Sequence, residues 1–287
     1  MNKYKLIIAG FLLIAPHLFA ATNSLCATKY PVLLVHGLGF RDDIKGIDYW
    51  GSIPSRLTNE GCRVFFSGHD AWNSHEKNAF DIRLRILSIV SQTGCEKVNI
   101  IAHSKGGLDC RYMIAKMGMG PQVVTLTMLS TPNRGSALSD ILLNAVGGTN
   151  NHFALGLVDL FAMVIGDRSP DSARASIEVS TNFMKTFNRE ILDDPRVYYQ
   201  SFGCSLLEPV RQPEFRLSYK LIKKCQGAND GIVPVSSAAW GEYRRTLTGK
   251  YGVSHTDIIH VGRKKVRGFD VPGFYVEVVR ELKRKGY

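Results

Sequence analysis

From residue 31 onward, short apolar runs alternate with segments whose apolar residues recur every three or four positions. The short runs are Val32 to His36, Arg63 to Ser67, Lys97 to His103, Val123 to Ser130 and Val197 to Gly203. They are rich in Val, Ile, Leu, Phe and Tyr without strict alternation, the pattern of strands covered on both faces. Ile53 to Asn59 stops before Gly61 and Phe80 to Gln92 before Gly94, both helical patterns ending near a residue suited to a helix stop. Leu108 to Lys116 continues directly from the third run as a helix. This alternation predicts an α/β fold, a mostly parallel central sheet with helices on both faces. No repeat or low-complexity linker divides residues 21–287, so one domain is expected.

Two stretches break the alternation. Lys3 and Lys5 precede the apolar run Leu6 to Ile14, and Ala20 and Ala21 follow at cleavage-site distance. Residues 1–20 therefore read as a secretory signal peptide, and Pro16 and His17 argue against a retained anchor. Residues 137–190 separate two strands by far more than a connection needs, which marks an insertion. Inside it, Phe153 to Ile165 carries Asp159 as its single charge, with Gly147, Gly148 and Gly166 as hinge points. That helix reads either as part of the main core or as a movable amphipathic lid.

Composition places the chain among ordinary globular proteins, with 45% apolar and 21% charged residues in 287. The formal charge of +11 becomes +9 without Lys3 and Lys5. That excess would favour anionic surfaces such as lipid headgroups, but moderate basicity alone specifies nothing beyond a basic exported protein kept soluble by its charge, and no nucleic-acid motif accompanies it. The six cysteines, at 26, 62, 95, 110, 204 and 225, are an even number in a chain read as exported, which suggests disulfides; buried free thiols are the alternative. Cys26, Cys62 and Cys95 each precede a strand, away from the sheet edge where ligands bind, and Cys204 and Cys225 flank one excursion that a bridge would close.

Candidate chemistry centres on Val98-Asn-Ile-Ile-Ala-His-Ser-Lys-Gly-Gly107, a buried strand running into a small-residue turn and a helix. This is the form of a nucleophile elbow: the turn presents Ser104 at a strained angle, and Ala102 and Gly106 supply the small flanking residues. A serine hydroxyl needs an imidazole base, and the base needs a carboxylate to fix its tautomer. In the chain order Ser, acid, His, the histidines beyond Ser104 are His152, His255 and His260. His152 precedes the acid candidates and His260 follows an apolar pair, so His255, in a polar loop, is the expected base. Asp230, in the Asn229-Asp-Gly-Ile-Val-Pro turn, is the expected acid, ahead of Asp193 and Asp194, which sit before Pro195. Its simpler reading is a turn-forming aspartate satisfying its own backbone.

Acyl transfer also needs N–H donors for the oxyanion. His36-Gly-Leu-Gly39 ends the first strand and can supply the Leu38 amide, and Lys105 supplies the amide after the nucleophile, its side chain expected to stand in solvent. His69, Asp70 and His75 suggest a metal, but their loop setting reads as polar surface.

With these residues located, the chain resembles secreted bacterial triacylglycerol lipases of the Pseudomonas and Burkholderia type, in the α/β-hydrolase superfamily, over Tyr30 to Val261. The matching pieces are Pro31-Val-Leu-Leu-Val-His-Gly-Leu-Gly, Asp48-Tyr-Trp leading to Ile53-Pro54, Lys97-Val-Asn-Ile-Ile-Ala-His-Ser, Thr131-Pro-Asn-Arg-Gly-Ser, Asn229-Asp-Gly and His255-Thr-Asp. The resemblance implies a triad of Ser104, Asp230 and His255, oxyanion amides from Leu38 and Lys105, and a lid after Ser136. It also implies a structural calcium near the histidine loop with Asp257 as one ligand; for a second, Leu206 to Phe215 offers Glu208 and Glu214 but no aspartate. The chemistry itself needs no cofactor.

The expected function is therefore a secreted lipase acting on fatty-acyl esters at a lipid surface, as a monomer, with a folding chaperone as relatives often have. Phospholipase, acyltransferase or short-chain carboxylesterase activity is the alternative. A non-catalytic lipid-binding protein on the same scaffold is the reading from another class.

Overall fold

The computed structural model describes residues 24–38, 43–44, 47–70, 72–146, 177–207 and 212–287. The expected signal peptide and Phe153 to Ile165 lie outside these residues. The strands are β1 (Val32–Val35), a short antiparallel pair β2 (Asp43–Ile44) and β3 (Ile47–Asp48), β4 (Val64–Phe66), β5 (Val98–His103), β6 (Val123–Leu129), β7 (Tyr198–Cys204) and β8 (Glu242–Leu247). Six of them form one sheet in the order β4-β1-β5-β6-β7-β8, with every neighbouring pair parallel. The helices α1 (Ile53–Asn59), α2 (His75–Thr93), α3 (Lys105–Lys116), α4 (Ala137–Val146), α5 (Thr181–Glu190), α6 (Arg216–Gln226), α7 (Val235–Ala238) and α8 (Val271–Arg284) connect or follow them.

Both faces of the sheet are buried, which is why its central strands show no polar alternation. Val32 and Leu34 pack with Trp50, Ile53, Leu57 and Val279 on one face. Leu33 and Val35 pack with Ile82, Ile86 and Met113 on the other. The period-2 geometry of a strand sends neighbouring apolar residues to opposite cores. After β1 the chain pairs β4 on one side and then β5 on the other. The strand order therefore reverses between β1 and β5, and ligands in open parallel sheets bind beyond the carboxyl ends at such a point.

The sequence reading differs from the structure at several places. The helix expected from Phe80 begins at His75, where the Ser74 side chain accepts the Lys77 N–H as an N-cap. The helix expected from Leu108 begins immediately after Ser104. β8 was not anticipated because Glu-Tyr-Arg-Arg-Thr-Leu is an edge strand with mostly polar, partly exposed residues. Among the described residues of the insertion, α4 and α5 bracket its two ends, tied by Asp140, which accepts both the N–H and the hydroxyl of Thr181.

The disulfide expectation is corrected: all six cysteines are free thiols. Cys204 is buried in β7 whereas Cys225 is exposed on α6, so the two do not close the excursion between them. Burial pushes the Cys26 thiol up to about 11 and that of Cys62 up to about 12. Thiols held so high carry little nucleophilic thiolate at neutral pH.

Candidate active site

Ser104 follows β5 with φ 53° and ψ −133°, a left-handed backbone that an ordinary side chain adopts only when its surroundings impose it. Those surroundings are two close approaches. A Cβ on Gly106 would meet the His36 carbonyl oxygen at 2.2 Å, and one on Gly37 would meet the Ser104 Cβ at 2.7 Å. The turn is thus wedged between β5 and the loop after β1, and only glycine fits either position.

His255 reaches this turn from a loop 151 residues away, its Nε2 standing 2.9 Å from Ser104 Oγ. Its Nδ1–H donates to Asp230 Oδ2 at 2.8 Å, which leaves Nε2 as the acceptor facing the hydroxyl. Asp230 is fully buried and its other oxygen, Oδ1, accepts the N–H groups of Ile232 and Val233 at 2.9 and 2.7 Å. Asp230 thus spends one oxygen on its own turn and presents the other to the imidazole. The His255 N–H donates to the Asp230 carbonyl at 3.0 Å, locking the two loops in register.

Ser104 and His255 open onto a cleft, with Asp230 fully buried behind the imidazole. Leu38 and Lys105 both border it, and Pro132, Val179, Ile232 and Ile259 make its wall mainly apolar. The Lys105 amide begins α3, so it lies at the helix's positive end, suited to a developing oxyanion.

Tyr49, in the Asp48-Tyr-Trp stretch, ties the loop after β1 to the end of β5. Its hydroxyl accepts the Gly37 N–H at 2.8 Å and meets His103 Nδ1 at 2.7 Å, joining the loop after β1 to the residue preceding Ser104. Burial, with the neighbouring His255 ring adding to it, holds the His103 imidazole well below the usual histidine range, hence neutral.

Other expected residues fall elsewhere. His260 meets Ser52 rather than the site, and His152 lies outside the described residues. Asp193 accepts from the Trp240 indole, and Asp194 pairs with Arg196. The Asp257 Oδ2 accepts from Gln212 Nε2 at 2.5 Å and from the Ser254 N–H at 3.1 Å. Those donors are N–H groups, and among the described residues no carboxylate, histidine or cysteine cluster of metal-binding size joins them. Glu208, one of the two glutamates offered for a second ligand, lies outside the described residues.

Two expectations about exposure are corrected. His69 and His75 are not polar surface but buried, each 3% exposed. The Lys105 side chain does not stand in solvent but is enclosed, 1% exposed, against Asp109. The sequence hides this because the partners come from three separate segments.

No family model matches the chain. It is 31% identical over 318 residues to a triacylglycerol lipase of Vibrio cholerae, covering 100% of both chains. It is 28% identical to triacylglycerol lipase 2 of Saccharomyces cerevisiae, covering 98% of this chain and 90% of that one. Among solved structures, the mature Bacillus licheniformis lipase BlEst2 superposes with a TM-score of 0.68 at 20% identity, over 88% of this chain and 92% of the other. With its six-stranded parallel sheet and full-length likeness to the Vibrio enzyme, the chain belongs to the bacterial triacylglycerol lipases, carboxylic ester hydrolases of the α/β-hydrolase fold.

Proposed function

We infer that the chain is an exported serine lipase that cleaves fatty-acyl esters, triacylglycerols first among them, through an acyl-enzyme. The observation that carries this reading is the unbroken hydrogen-bonded chain from Asp230 through His255 to Ser104 at the mouth of an apolar cleft. His255 Nε2 takes the hydroxyl proton as Ser104 Oγ attacks the acyl carbonyl. The amides of Leu38 and Lys105 receive the oxyanion. As the intermediate collapses, His255 returns the proton to the leaving alcohol oxygen; water then repeats the sequence and releases the acid. Asp230 keeps the ring in the tautomer this requires and stabilises its transient positive charge.

Export rests on the basic, apolar and small-residue sequence of residues 1–20, and the insertion at 137–190 is read as a lid because its return segment contributes Val179 to the cleft. Initial rates on emulsified long-chain triacylglycerol, dissolved short-chain esters and phosphatidylcholine vesicles test the substrate class. A lipase shows its highest kcat/KM on the emulsion, with activity rising sharply as droplets form. Equal action on dissolved esters would make it a plain esterase, and preferential cleavage of the vesicles a phospholipase.

A further inference from the structure

Behind the cleft lies a closed group of ionisable side chains that the proposed reaction does not use. Lys105 Nζ donates to Asp109 Oδ1 at 2.8 Å and to the Asn73 carbonyl at 3.0 Å, and stands 3.8 Å from Glu178 Oε2. Asp109 also meets His75 Nδ1 at 2.5 Å and accepts from Asn78 Nδ2 at 2.9 Å, with His69 Nε2 3.9 Å away. Burial alone would raise the Asp109 carboxyl; Lys105, His75 and His69 outweigh it and hold the group well below the ordinary carboxylate range. Glu178 closes the group: its Oε2 accepts the His75 N–H at 2.9 Å, and its carbonyl faces His75 Nε2 at 3.2 Å.

Three elements meet here. Lys105 and Asp109 lie on the first turns of α3, His75 and Asn78 on the first turn of α2, and Glu178 on the segment returning from the insertion. The next residue, Val179, lines the cleft, and its carbonyl accepts the Ser136 N–H at 3.1 Å. The return segment thus touches the cleft through Val179 and the base of α3 through Glu178.

We propose that the buried Lys105 side chain is a positioning element for the oxyanion hole, clamped by Asp109 and linked through His75 and Glu178 to the return segment of the insertion. The main chain of Lys105 presents one amide to the acyl oxygen while its side chain fixes where that amide lies. Small displacements matter because an oxyanion donor acts only over hydrogen-bond distance. This proposal rests on the acyl-transfer reading of the site, and labelling of the wild type by a fluorophosphonate separates the two. A wild type that takes no label overturns both.

The test compares Lys105→Met, Lys105→Arg, Glu178→Gln and the double variant Lys105→Met/Asp109→Leu on dissolved p-nitrophenyl butyrate. The inhibition constant of a trifluoromethyl ketone, which forms a tetrahedral adduct, is measured alongside. Lys105→Met is expected to lower kcat by about 10- to 100-fold, within the range for weakening one oxyanion donor. KM stays within about twofold, since ground-state binding is untouched. The inhibition constant rises by the same factor as kcat falls, and Lys105→Arg recovers most of the loss. The double variant replaces the ion pair by apolar groups, which buried pairs often tolerate, and keeps the low kcat. Glu178→Gln, the mildest change, lowers kcat by about three- to tenfold, the scale of one weakened charged hydrogen bond. If the Lys105 variants do not fold, Glu178→Gln decides alone. Folded variants with wild-type kcat and wild-type inhibitor binding, differing only in melting temperature, overturn the proposal.

Discussion

His255 and His75 are both buried histidines whose Nδ1 meets an aspartate, at 2.8 Å from Asp230 and 2.5 Å from Asp109, yet their other nitrogens face different worlds. His255 Nε2 faces a serine hydroxyl at the edge of a cleft; His75 Nε2 faces the Glu178 carbonyl inside a closed group. A carboxylate–imidazole pair is therefore not chemistry in itself. It becomes a general base where its distal nitrogen has a proton to take and a reacting atom has room to stand. Where that nitrogen meets a main-chain carbonyl, the same pair becomes a fastener.

Mutating each pair in turn sharpens this contrast. His255→Ala is expected to lower kcat by about a hundred-thousand-fold or more, as loss of a triad base does elsewhere, with a melting temperature near that of the wild type. His75→Ala is expected to do the reverse: a stability loss of about 2 kcal/mol from a buried carboxylate that keeps Lys105 and Asn78 but loses one hydrogen-bond partner, read by urea unfolding, with kcat reduced no more than about tenfold. A catalytic collapse in the second variant, or none in the first, would erase the distinction. Asp230→Asn is expected to cost about 10⁴-fold in kcat, because the amide favours the wrong tautomer.

The Asp109 pair adds a pH signature. Its carboxyl is held below the ordinary range in the folded chain, so the stability it contributes is complete above the unfolded value and is lost as pH falls through the folded one. The wild type is therefore expected to lose melting temperature between pH 5 and about 3 more steeply than Asp109→Asn, by scanning calorimetry. Parallel curves would contradict it. A small effect is expected of Tyr49→Phe, which removes the hydroxyl shared by Gly37 and His103. One lost hydrogen bond of this kind is worth about 1 kcal/mol, so kcat should fall by about fivefold to tenfold with KM nearly unchanged in steady-state assays.

Much of the local geometry of the candidate site was legible in the sequence because local backbone demands write themselves into local residue types. Ser104 needs Gly106 beside it, Asp230 needs a tight turn, and Ile53 to Asn59 matches α1 from first residue to last. The buried cluster was not legible. His75 and Lys105 read as surface residues because their partners are scattered: Asp109 lies one turn beyond Lys105 but 34 residues from His75, and Glu178 lies 103 residues beyond His75. β8 escaped for the opposite reason: an edge strand with polar residues lacks the continuous apolar run that marked the central strands.

The most direct measurement of the central claim is peptide mass spectrometry after reaction with a fluorophosphonate, on the wild type and on His255→Ala. A single phosphonyl adduct, carried by Ser104, is expected to form rapidly in the wild type and at least a thousandfold more slowly without the imidazole, since loss of the base slows attack by the serine oxygen in both acylation and phosphonylation. Ester hydrolysis persisting alongside an unmodified Ser104, or an adduct forming as fast without His255, would contradict it.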